Sequence, residues 1–485
     1  MSRPDVSSCT RREFLRSSGI GAATCALARA ALAKPQAARK PNIVLIVADD
    51  LGWNNVGYHG GVARTPNIDR LAREGVQLDR FYVCPLCSPT RAGLMTGRYP
   101  LRFGVMCTVI TPWRTHGIPA EERTIPEVLA RAGYKRRGCF GKWHLGHSHV
   151  RYHPLSRGFT HYYGCYNGAI DYFTHEREGE LDWHHGHRPA REEGYATELI
   201  TKEAVRFIRE SPAGQPFLAY VPYNAPHSPL QAPEKYLAMH PRLSGKQRAY
   251  AAMVTAMDDG VGQILAALDE KGVADDTFVL LFSDNGAGIG GDNKPLRAGK
   301  ATVYEGGIRA AAAARWPNGG IRGGRKITAT MGFIDVLPTL MRIAGVTNHG
   351  GKPLDGVDVL DQMTGQADSP SRPWFSYVGY GTKDQLAVME GKWKLVYVGP
   401  RILTAEDPRK DARINLFAIR EDPNEQTDLA EKHGEVVRRL LAKLKTFRSW
   451  HGKTCLLDEP SRRPKGFKAP KDWILPGTQL DEPGK

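Results

Sequence analysis

The sequence contains no apolar run long enough to cross a membrane. Residues 19–28 are mostly apolar, but Arg29 follows at once, and a transmembrane helix needs about 20 consecutive apolar residues. Zinc-finger spacings of Cys and His, RNP-type aromatic motifs and dense Lys/Arg blocks are also missing, although the net charge is +16. We therefore expect no stable membrane insertion and no nucleic-acid binding, and the positive charge points to another kind of polyanion.

Cysteine is scarce, with eight residues in a chain of 485. Cys9 and Cys25 belong to a predicted N-terminal leader, and Cys87 lies in a motif, discussed below, for which we expect a catalytic role. The remaining five are Cys84, Cys107, Cys139, Cys165 and Cys455. Because five is an odd number, at most two disulfide bridges can form among them, and the sequence does not say which.

Residues 1–33 have the three parts of an export signal: basic residues, a short apolar stretch and an A-x-A site that ends at Ala33. The segment R-R-E-F-L within them resembles a twin-arginine signal. We expect cleavage near Ala33, a spacer over 34–40, and a bacterial-type exported protein, periplasmic or secreted, that leaves through the twin-arginine export machinery. A lipoprotein anchored at Cys25 is the alternative, but the residues before Cys25 lack the usual leucine.

From residue 41 onwards, predicted strands alternate with predicted helices. The apolar, β-branched run 42–48 is typical of a strand buried on both faces, and further strands are predicted at 134–140, 217–223 and 277–282. The predicted helices are 65–74, 90–96, 124–132, 195–210, 246–271 and 335–344, the last bending or beginning near Pro338. This alternation predicts an α/β fold with a large, mostly parallel sheet flanked by helices.

The breaker-rich residues 365–373 mark a domain boundary. Beyond them, short strands are predicted at 374–378, 385–389, 393–398 and 414–418, and a helix at 435–447. We therefore predict a catalytic domain over 41–368 and a smaller antiparallel α+β domain over 374–460. The Pro- and Lys-rich residues 461–485 are expected to form a surface tail.

Acidic and amide side chains follow the predicted strands. Asp49 and Asp50 come directly after 42–48, Asp284 and Asn285 follow 277–282, and the turn 224–227 follows 217–223. Two carboxylates about 4 Å apart repel by roughly 4 kcal/mol at an effective dielectric constant of 20, so either solvent or a cation must relieve them. Ligands of parallel α/β sheets gather at the carboxyl ends of the strands, which is where these residues are predicted to lie.

Cys87 precedes a short predicted helix, with Pro89 near its start and Gly97 at its end. The positive end of a helix dipole favours an anion or a nucleophile, and Arg91, one turn on, adds a fixed charge. Taken alone, Cys87 is more simply interpreted as a buried structural thiol. Lys142 and His144 lie between glycines in G-K-W-H-L-G, which is typical of a loop that approaches other groups closely.

Residues 147–194 are rich in aromatic side chains and histidine, and His184, His185 and His187 are close in sequence. One interpretation is a metal site, but the spacing matches no Cys/His pattern of a known site. A solvated loop or a wall that faces the substrate is the preferred interpretation.

Seven ordered motifs resemble those of the type I sulfatases of the alkaline-phosphatase superfamily, over nearly all of residues 41–450. They are A-D-D-L-G, T-P-N-I-D-R-L, C-S-P-T-R-A-G-L-M-T-G-R, G-K-W-H-L-G, A-P-H-S-P, S-D-N-G, and P-L-R-A-G-K with E-G-G-I-R. Within the family, Y-G-x-x-x-G-x-x-D-Y, H-S-P-L-Q-A-P and D-V-L-P-T-L look most like the arylsulfatase B, or N-acetylgalactosamine-4-sulfatase, branch. Each residue alone has an unremarkable structural explanation, and their order along the chain is what favours a catalytic one.

The resemblance implies a role for each matching residue. Cys87 would be oxidised to 3-oxoalanine, called formylglycine, by a formylglycine-generating enzyme, and its hydrate would be the nucleophile. One Ca²⁺ per chain would be held by Asp49, Asp50, Asp284 and Asn285 together with residue 87. The remaining catalytic residues would be Arg91, Lys142, His144, His227 and Lys300.

Among these residues, Arg91 would hold the hydrate and the metal cluster, and Lys142 and Lys300 would stabilise charge on the sulfuryl oxygens. Either His227 or Lys300 would protonate the leaving group. His144 would take the second hydroxyl proton of the diol and so help to expel sulfate.

The implied activity is hydrolysis of a sulfuric ester on a sulfated carbohydrate, most simply an exo-acting sulfatase on a sugar such as 4-sulfated N-acetylgalactosamine. A phosphate or phosphonate ester hydrolase of the same superfamily is one alternative. A non-catalytic sulfoglycan-binding protein, whose Cys87 is never oxidised, is another. A general anion-scavenging surface protein is a third, suggested only by the positive charge.

Overall fold

The computed structural model of the protein describes residues 40–106, 108–380, 382–405, 410–451 and 463–479. The predicted export signal, its cysteines, Cys107 and Cys455 lie outside these residues. Nineteen strands are described in them, and the ten that form the largest sheet are β1 (Asn42–Ala48), β2 (Val76–Leu78), β4 (Arg136–Phe140), β5 (His161–Gly164), β8 (His184–His185), β9 (Arg188–Pro189), β10 (Phe217–Pro222), β11 (Thr277–Ser283), β13 (Ala312–Arg315) and β14 (Arg325–Ile327).

The spatial order of this sheet is β14-β2-β13-β11-β1-β10-β4-β5-β8-β9. Its five central strands, β11, β1, β10, β4 and β5, all run parallel to one another. At the margins, β13, β8 and β9 pair antiparallel to their neighbours. All seven residues of β1 are buried, as expected of an apolar, β-branched strand between two others with both faces covered. The predicted α/β class is confirmed, with a sheet that is parallel at its centre and mixed at its margins.

Three smaller sheets complete the strand inventory. The first has three strands, β3 (Phe81–Tyr82), β12 (Arg309–Ala310) and β15 (Met331–Gly332). A hairpin is formed by β6 (Glu176–Arg177) and β7 (Glu180–Leu181). The C-terminal sheet is antiparallel throughout and consists of β16 (Trp374–Tyr380), β17 (Lys383–Glu390), β18 (Trp393–Pro400) and β19 (Arg413–Ala418).

The described helices lie close to the predicted ranges. Those of seven residues or more are Pro66–Glu74, Cys87–Thr96, Ile125–Arg131, Ala196–Glu210, Gly245–Glu270, Val336–Ala344 and Gly434–Ser449. Four-residue helices lie at Glu234–Leu237, Glu305–Ile308 and Leu360–Met363. Pro338 falls in the first turn of its helix, where its missing N–H is not needed, so the helix begins just before the proline and does not bend. None of the described helices combines the length and the apolar character that a bilayer-spanning segment requires.

The C-terminal sheet shares a hydrophobic core with the large sheet. Tyr99, which follows the helix Cys87–Thr96, packs its ring against Trp374, Phe375 and Phe447 with ring centroids 6.2, 6.0 and 5.2 Å away. Its hydroxyl accepts a hydrogen bond from the Phe375 backbone N–H at 3.0 Å. The predicted boundary between 368 and 374 stays a prediction, but the two predicted domains are packed together through buried aromatic rings.

Two details of the fold differ from what the sequence suggested or left open. Cys84, Cys139 and Cys165 are free and buried, so no disulfide bridge joins the cysteines that the structure describes. Residues 463–479 were expected on the surface, but Trp473 and Leu475 within them are buried. The Trp473 indole packs edge-on against the His147 ring, with centroids 5.3 Å apart, because an apolar ring of this size is stabilised by burial even in a Pro- and Lys-rich segment.

Candidate active site

The parallel arrangement of the central strands brings four loops to one edge of the sheet. Hydrogen bonds between strands continue past the strand ends: the backbone N–H groups of Asp49, Asp284 and Lys142 donate to the carbonyl oxygens of residues 225, 48 and 222 at 3.0, 2.9 and 2.7 Å. Asp49 and Asp284 are thus fixed on adjacent strands, and Lys142 lies next to the β10 loop that carries His227. The predicted site residues of separate motifs meet where parallel sheets bind ligands.

Arg91 connects the two acidic loops from the helix Cys87–Thr96. Its Nε donates to Asp284 Oδ2 at 2.9 Å, and its Nη1 donates to the Lys142 carbonyl at 3.1 Å. Its Nη2 lies 2.8 Å from the same Asp284 oxygen as an ion pair. Lys142 Nζ donates to Asp49 Oδ2, and all four side chains are fully buried. Because a buried charge without a partner is costly, the alternative that these are solvated surface charges is wrong.

Asp50 forms the second half of the polar cluster. Lys300 Nζ and Asn285 Nδ2 both donate to its Oδ1, at 2.6 and 2.7 Å, and His227 Nε2 lies 3.8 Å from its Oδ2. Burial alone would raise the pKa of Asp50, but the charge of Lys300, together with the hydrogen bonds from Lys300 and Asn285, outweighs it and holds that pKa below its ordinary value. Asp50 is therefore an ionised carboxylate.

The backbone at Asp50 is also unusual, with φ of 66°. Left-handed backbone of this kind is uncommon outside glycine and clusters at functional sites. Gly288 lies against this carboxylate, and a Cβ at position 288 would come within 2.4 Å of Asp50 Oδ2. The space beside Asp50 therefore depends on glycine at 288.

The donor atoms around these carboxylates fit a hard divalent cation. Asp49 Oδ1 and Asn285 Oδ1 are buried and have no hydrogen-bond partner among the described residues. Ligand atoms of Asp49, Asp50 and His227 lie within 4.8 Å of one another, and so do those of Asp49, Cys87 and Asp284. Carboxylate and amide oxygens are the ligands that Ca²⁺ and Mg²⁺ prefer, so the orphaned oxygens fit the role predicted for them.

The charges of the cluster cancel before any cation binds. The buried carboxylates of residues 49, 50 and 284 face three cationic groups, those of Arg91, Lys142 and Lys300. Burial raises the pKa of Asp284, and the neighbouring Asp49 carboxylate raises it further, although Arg91 opposes both effects. A divalent cation would relieve this crowding of carboxylates and leave the site positively charged, which suits an anionic substrate.

Cys87 is the first residue of its helix and is buried, with 2% of its surface exposed. The helix begins three residues before the predicted range, so Cys87 lies at the N-terminal turn itself. Burial raises the pKa of the Cys87 thiol, although Lys142 and Lys300 act in the opposite direction. An unmodified Cys87 is therefore a neutral thiol at neutral pH and a poor nucleophile.

His144 is held so that one ring nitrogen is free. Its Nε2 lies 3.0 Å from the Ile110 carbonyl oxygen, which can only accept a hydrogen bond, so Nε2 carries the proton. Its Nδ1 has no hydrogen-bond partner within the described part of the chain. Burial, reinforced by Lys142 and Arg91, lowers the pKa of His144 well below its ordinary value. The ring is therefore neutral and presents a lone pair at Nδ1.

His227 is also neutral. The pKa of His227 is lowered to about 3, mainly by burial. The Asp50 carboxylate raises it, but the charges of Lys300 and Lys142 lower it again. Its Nδ1 lies 2.6 Å from the Ser228 carbonyl oxygen, so Nδ1 carries the proton and Nε2 faces Asp50 without one.

A cavity of about 480 Å³ opens onto these groups and is lined by Cys87, His144, His227 and Lys300. Its wall also contains Arg177 and the segment 109–112, which the sequence analysis did not single out. Short strands such as β6 have too few residues to give a periodic signal, so sequence alone offered no reason to select Arg177.

The loop that carries Lys300 is anchored from the C-terminal sheet, which the sequence did not reveal either. Lys394 of β18 donates to Glu305 Oε1 and forms an ion pair with Glu425 Oε1, both at 2.8 Å, and all three side chains are buried. The Ala301 backbone N–H donates to the Pro85 carbonyl at 2.9 Å, which ties the same loop to the segment before Cys87.

The three neighbouring histidines do not form a metal site in the described residues. His184 is buried beside Asp182 at 3.4 Å and stacks on Tyr166 with ring centroids 4.0 Å apart. The side chain of His185 is 61% exposed, and His187 packs on the ring of His153 at 3.9 Å. The preferred interpretation, a solvated loop or a wall that faces the substrate, is wrong for His184, which is buried in strand β8 of the large sheet, and none of the three histidines is among the described residues that line the cavity.

Comparisons with known proteins agree with this geometry. A family model described as Sulfatase matches residues 41–346. N-acetylgalactosamine-6-sulfatase of Mus musculus is 37% identical over 386 residues, covering 74% of this chain and 72% of that protein. Arylsulfatase A of Bos taurus is 31% identical, covering 84% and 87%. The crystal structure of Ps i-CgsB in complex with k-i-k-neocarrahexaose superposes with a TM-score of 0.79 at 30% identity, covering 87% of this chain and 95% of that one.

Proposed function

Since the chain belongs to the sulfatase family and is a sulfuric ester hydrolase, we propose that it releases sulfate from a sulfated glycan, using formylglycine at residue 87 and one bound Ca²⁺. The observation that carries the proposal is the meeting, at one sheet edge, of four oxygen-bearing side chains with Cys87, next to a cavity that Cys87, His227 and Lys300 line. Ca²⁺ would be held by Asp49, Asp50, Asp284 and Asn285, and would supply positive charge that orients and polarises a sulfate oxygen.

Residue 87 supplies the nucleophile in this proposal. Once oxidised by a formylglycine-generating enzyme, it would supply a hydrated aldehyde, of which one hydroxyl attacks sulfur while the second allows sulfate to be eliminated. The raised pKa of the Cys87 thiol supports this assignment, because the unmodified side chain has little thiolate to offer.

The surrounding side chains have distinct proposed roles. Arg91, fixed by Asp284 and the Lys142 carbonyl, holds the nucleophile and the acidic loops in position relative to each other. Lys142 and Lys300 place positive charge where the sulfuryl oxygens develop negative charge. His144 accepts the proton of the second hydroxyl at Nδ1, the nitrogen that has no other partner among the described residues.

The proposed substrate is a glycan with a 4-sulfated N-acetylgalactosamine at its chain end. Three sequence segments favour the 4-sulfate, whereas several relatives carry the name N-acetylgalactosamine-6-sulfatase, so the 6-sulfated isomer is the matched comparison. Sulfate released from the two isomeric oligosaccharides, measured by ion chromatography, is expected to favour the 4-sulfated one by about tenfold or more, since one misplaced polar group in a buried site costs at least 1.4 kcal/mol. Equal release from both would contradict the positional assignment, and release from neither would contradict the proposed substrate.

Two other functions are separated by simple measurements. A phosphate or phosphonate ester hydrolase would turn over an aryl phosphate faster than the matching aryl sulfate. A non-catalytic binding protein would show an unshifted mass for the peptide that contains Cys87. Export through the twin-arginine machinery to the periplasm or the medium is also proposed, from the leader sequence alone.

Calcium is expected to stabilise the folded chain. At 100 times its Kd, a ligand that binds only the folded state adds about 2.7 kcal/mol, and a chain of this length unfolds with roughly 1 kcal/mol per degree of entropy, so Tm should rise by about 3 °C over a chelator-treated sample. Differential scanning fluorimetry measures this shift without relying on turnover. Mg²⁺ should shift Tm less, because a site of several protein oxygens suits the larger ion.

The control for calcium is a pair of Asp→Asn variants. Asp284→Asn should lose most of the Ca²⁺-dependent rise, whereas Asp275→Asn, whose exposed carboxylate pairs with Arg315, should keep it. The same rise in wild type and in Asp284→Asn would show that calcium binds elsewhere.

A further inference from the structure

One charged side chain in the cavity wall has no part in the proposed chemistry. Of the described residues that line the cavity, Arg177 and Lys300 carry fixed positive charge, and none carries negative charge. Lys300 is paired with Asp50 at 2.6 Å. Arg177 therefore supplies positive charge to the cavity that the carboxylates of the catalytic cluster do not neutralise.

The guanidinium of Arg177 is only weakly satisfied by protein. Its Nη2 lies 3.7 Å from Glu178 Oε1, which is longer than a hydrogen bond, and its Nε is buried without a hydrogen-bond partner among the described residues. Glu178 also serves Arg463, whose Nε lies 3.1 Å from Glu178 Oε2. Two guanidinium groups thus share one carboxylate, and a net positive charge remains at the cavity wall.

The backbone that carries Arg177 is firmly placed. β6 and β7 are joined by Glu178 and Gly179, both with positive φ, as a tight hairpin turn of type I′ requires. The buried Trp473 donates from Nε1 to the Arg177 carbonyl at 2.9 Å, and the next hairpin strand is held by a bond from the Asp472 N–H to Glu180 Oε2 at 3.0 Å. Residues 463–479 therefore fix the backbone at Arg177, so binding has to order only its side chain.

We propose that Arg177 binds a second anionic group of the glycan, either another sulfate ester or the carboxylate of a neighbouring hexuronate, while the reacting sulfate lies at residue 87. This inference rests on the proposed function and adds the substrate class: a glycan with at least two anionic groups. The planar fork of an Arg side chain matches both sulfate and carboxylate oxygens in a bidentate manner. The cavity, at about 480 Å³, lies within the range of sites that enclose small ligands.

The test compares Arg177→Met with Arg73→Met on three oligosaccharides. Arg73 is exposed on the helix Pro66–Glu74 and does not line the cavity, so its variant carries the same change of charge. The three substrates share the reacting sulfate, and differ in having no other anion, a second sulfate or a neighbouring hexuronate. Arg177→Met should lower kcat/KM by about 10- to 100-fold, mainly through KM, on the substrate with the matching second anion, and by less than about twofold on the substrate without one.

Other outcomes overturn the inference. Equal losses on all three substrates would indicate a structural role for Arg177, and unchanged rates on all three would mean that it does not contact substrate. Whichever of the two dianionic substrates loses rate identifies the group that Arg177 binds. Arg177→Lys keeps the charge without the fork, so it should lose less than Arg177→Met, and a larger loss would again contradict the assignment.

A binding measurement separates this inference from the proposed function. Calorimetry with the same oligosaccharides on a chain that also carries Cys87→Ala needs no turnover. Binding of the dianionic glycan that weakens about 10- to 100-fold on Arg177→Met would support the inference even if wild type released no sulfate, which would overturn the proposed function alone. Binding that is unaffected by Arg177→Met would overturn the inference alone.

Discussion

Each chain of the Cys87→Ser variant is expected to acquire about one sulfate ester, at residue 87, and then to stop reacting. Its steady-state turnover should fall by about 10⁴-fold or more. A serine hydroxyl can attack sulfur from nearly the same position, since Cys87 lies in the first turn of the helix Cys87–Thr96 and is almost fully buried. Serine, however, has one hydroxyl, so its sulfate ester must wait for water. Intact-mass spectrometry would show the added mass of the sulfate ester. A rapid-quench assay would show that the leaving group is released in a single burst.

Cys87→Ala is the control for this prediction. It should show neither turnover nor a mass gain, while its Tm without added Ca²⁺ stays close to that of wild type, since alanine keeps the backbone of the helix Cys87–Thr96 and removes only one buried sulfur atom. Wild type produced together with a formylglycine-generating enzyme should show the oxidised residue in the Cys87 peptide. Steady turnover by Cys87→Ala would remove residue 87 from the mechanism.

The sequence was informative where one physical signal dominated. The apolar, β-branched strand β1 and the 26-residue helix Gly245–Glu270 were predicted within a residue or two, because buried strands and long helices have strong patterns. The helix Cys87–Thr96 was predicted to begin late, because Ser88 and Pro89 are typical of the turn before a helix as well as of its first turn.

The candidate site could be predicted in part for a topological reason. Once the strands are assigned to a parallel sheet, the residues after β1, β10, β4 and β11 must share an edge, and the structure brings Asp50, His227 and Lys300 together there. The protonation of these groups could not be predicted, because it depends on burial and on carbonyl oxygens distant in sequence, such as that of Ile110 beside His144.

Arg177 and Trp473 show what local patterns miss. Arg177 lies on a two-residue strand, and Trp473 lies in a segment with the composition of a surface tail. Their contact joins parts of the chain 296 residues apart. No local periodicity encodes such a contact, whereas the catalytic motifs are encoded by short runs of residues at strand ends.

Lys300→Ala is expected to reduce kcat for a sugar sulfate about 100-fold more than kcat for a nitrophenyl sulfate. Lys300 keeps its proton because the Asp50 carboxylate outweighs burial and raises the pKa of Lys300 above its ordinary value, whereas His227 is neutral and its only proton, on Nδ1, is directed at the Ser228 carbonyl. We therefore propose Lys300, of the two candidates, as the proton donor to the leaving group. A sugar alkoxide needs that proton, and a nitrophenolate does not, since general acid catalysis contributes about 10²- to 10⁴-fold only where the leaving group is a strong base.

His227→Ala separates the two candidates for the donor. If Lys300 is the acid, His227→Ala lowers kcat on both substrates by the same factor, because the imidazole then acts only by its position beside Asp50. If His227 is the acid, His227→Ala, and not Lys300→Ala, should lower kcat for the sugar sulfate and leave kcat for the nitrophenyl sulfate nearly unchanged. That result would also show that the protonation inferred from the Ser228 contact is wrong. Because either variant keeps the Asp49, Asp284 and Asn285 oxygens, a Ca²⁺-dependent Tm shift retained in both would show that the difference arises at the leaving group and not from loss of the cation.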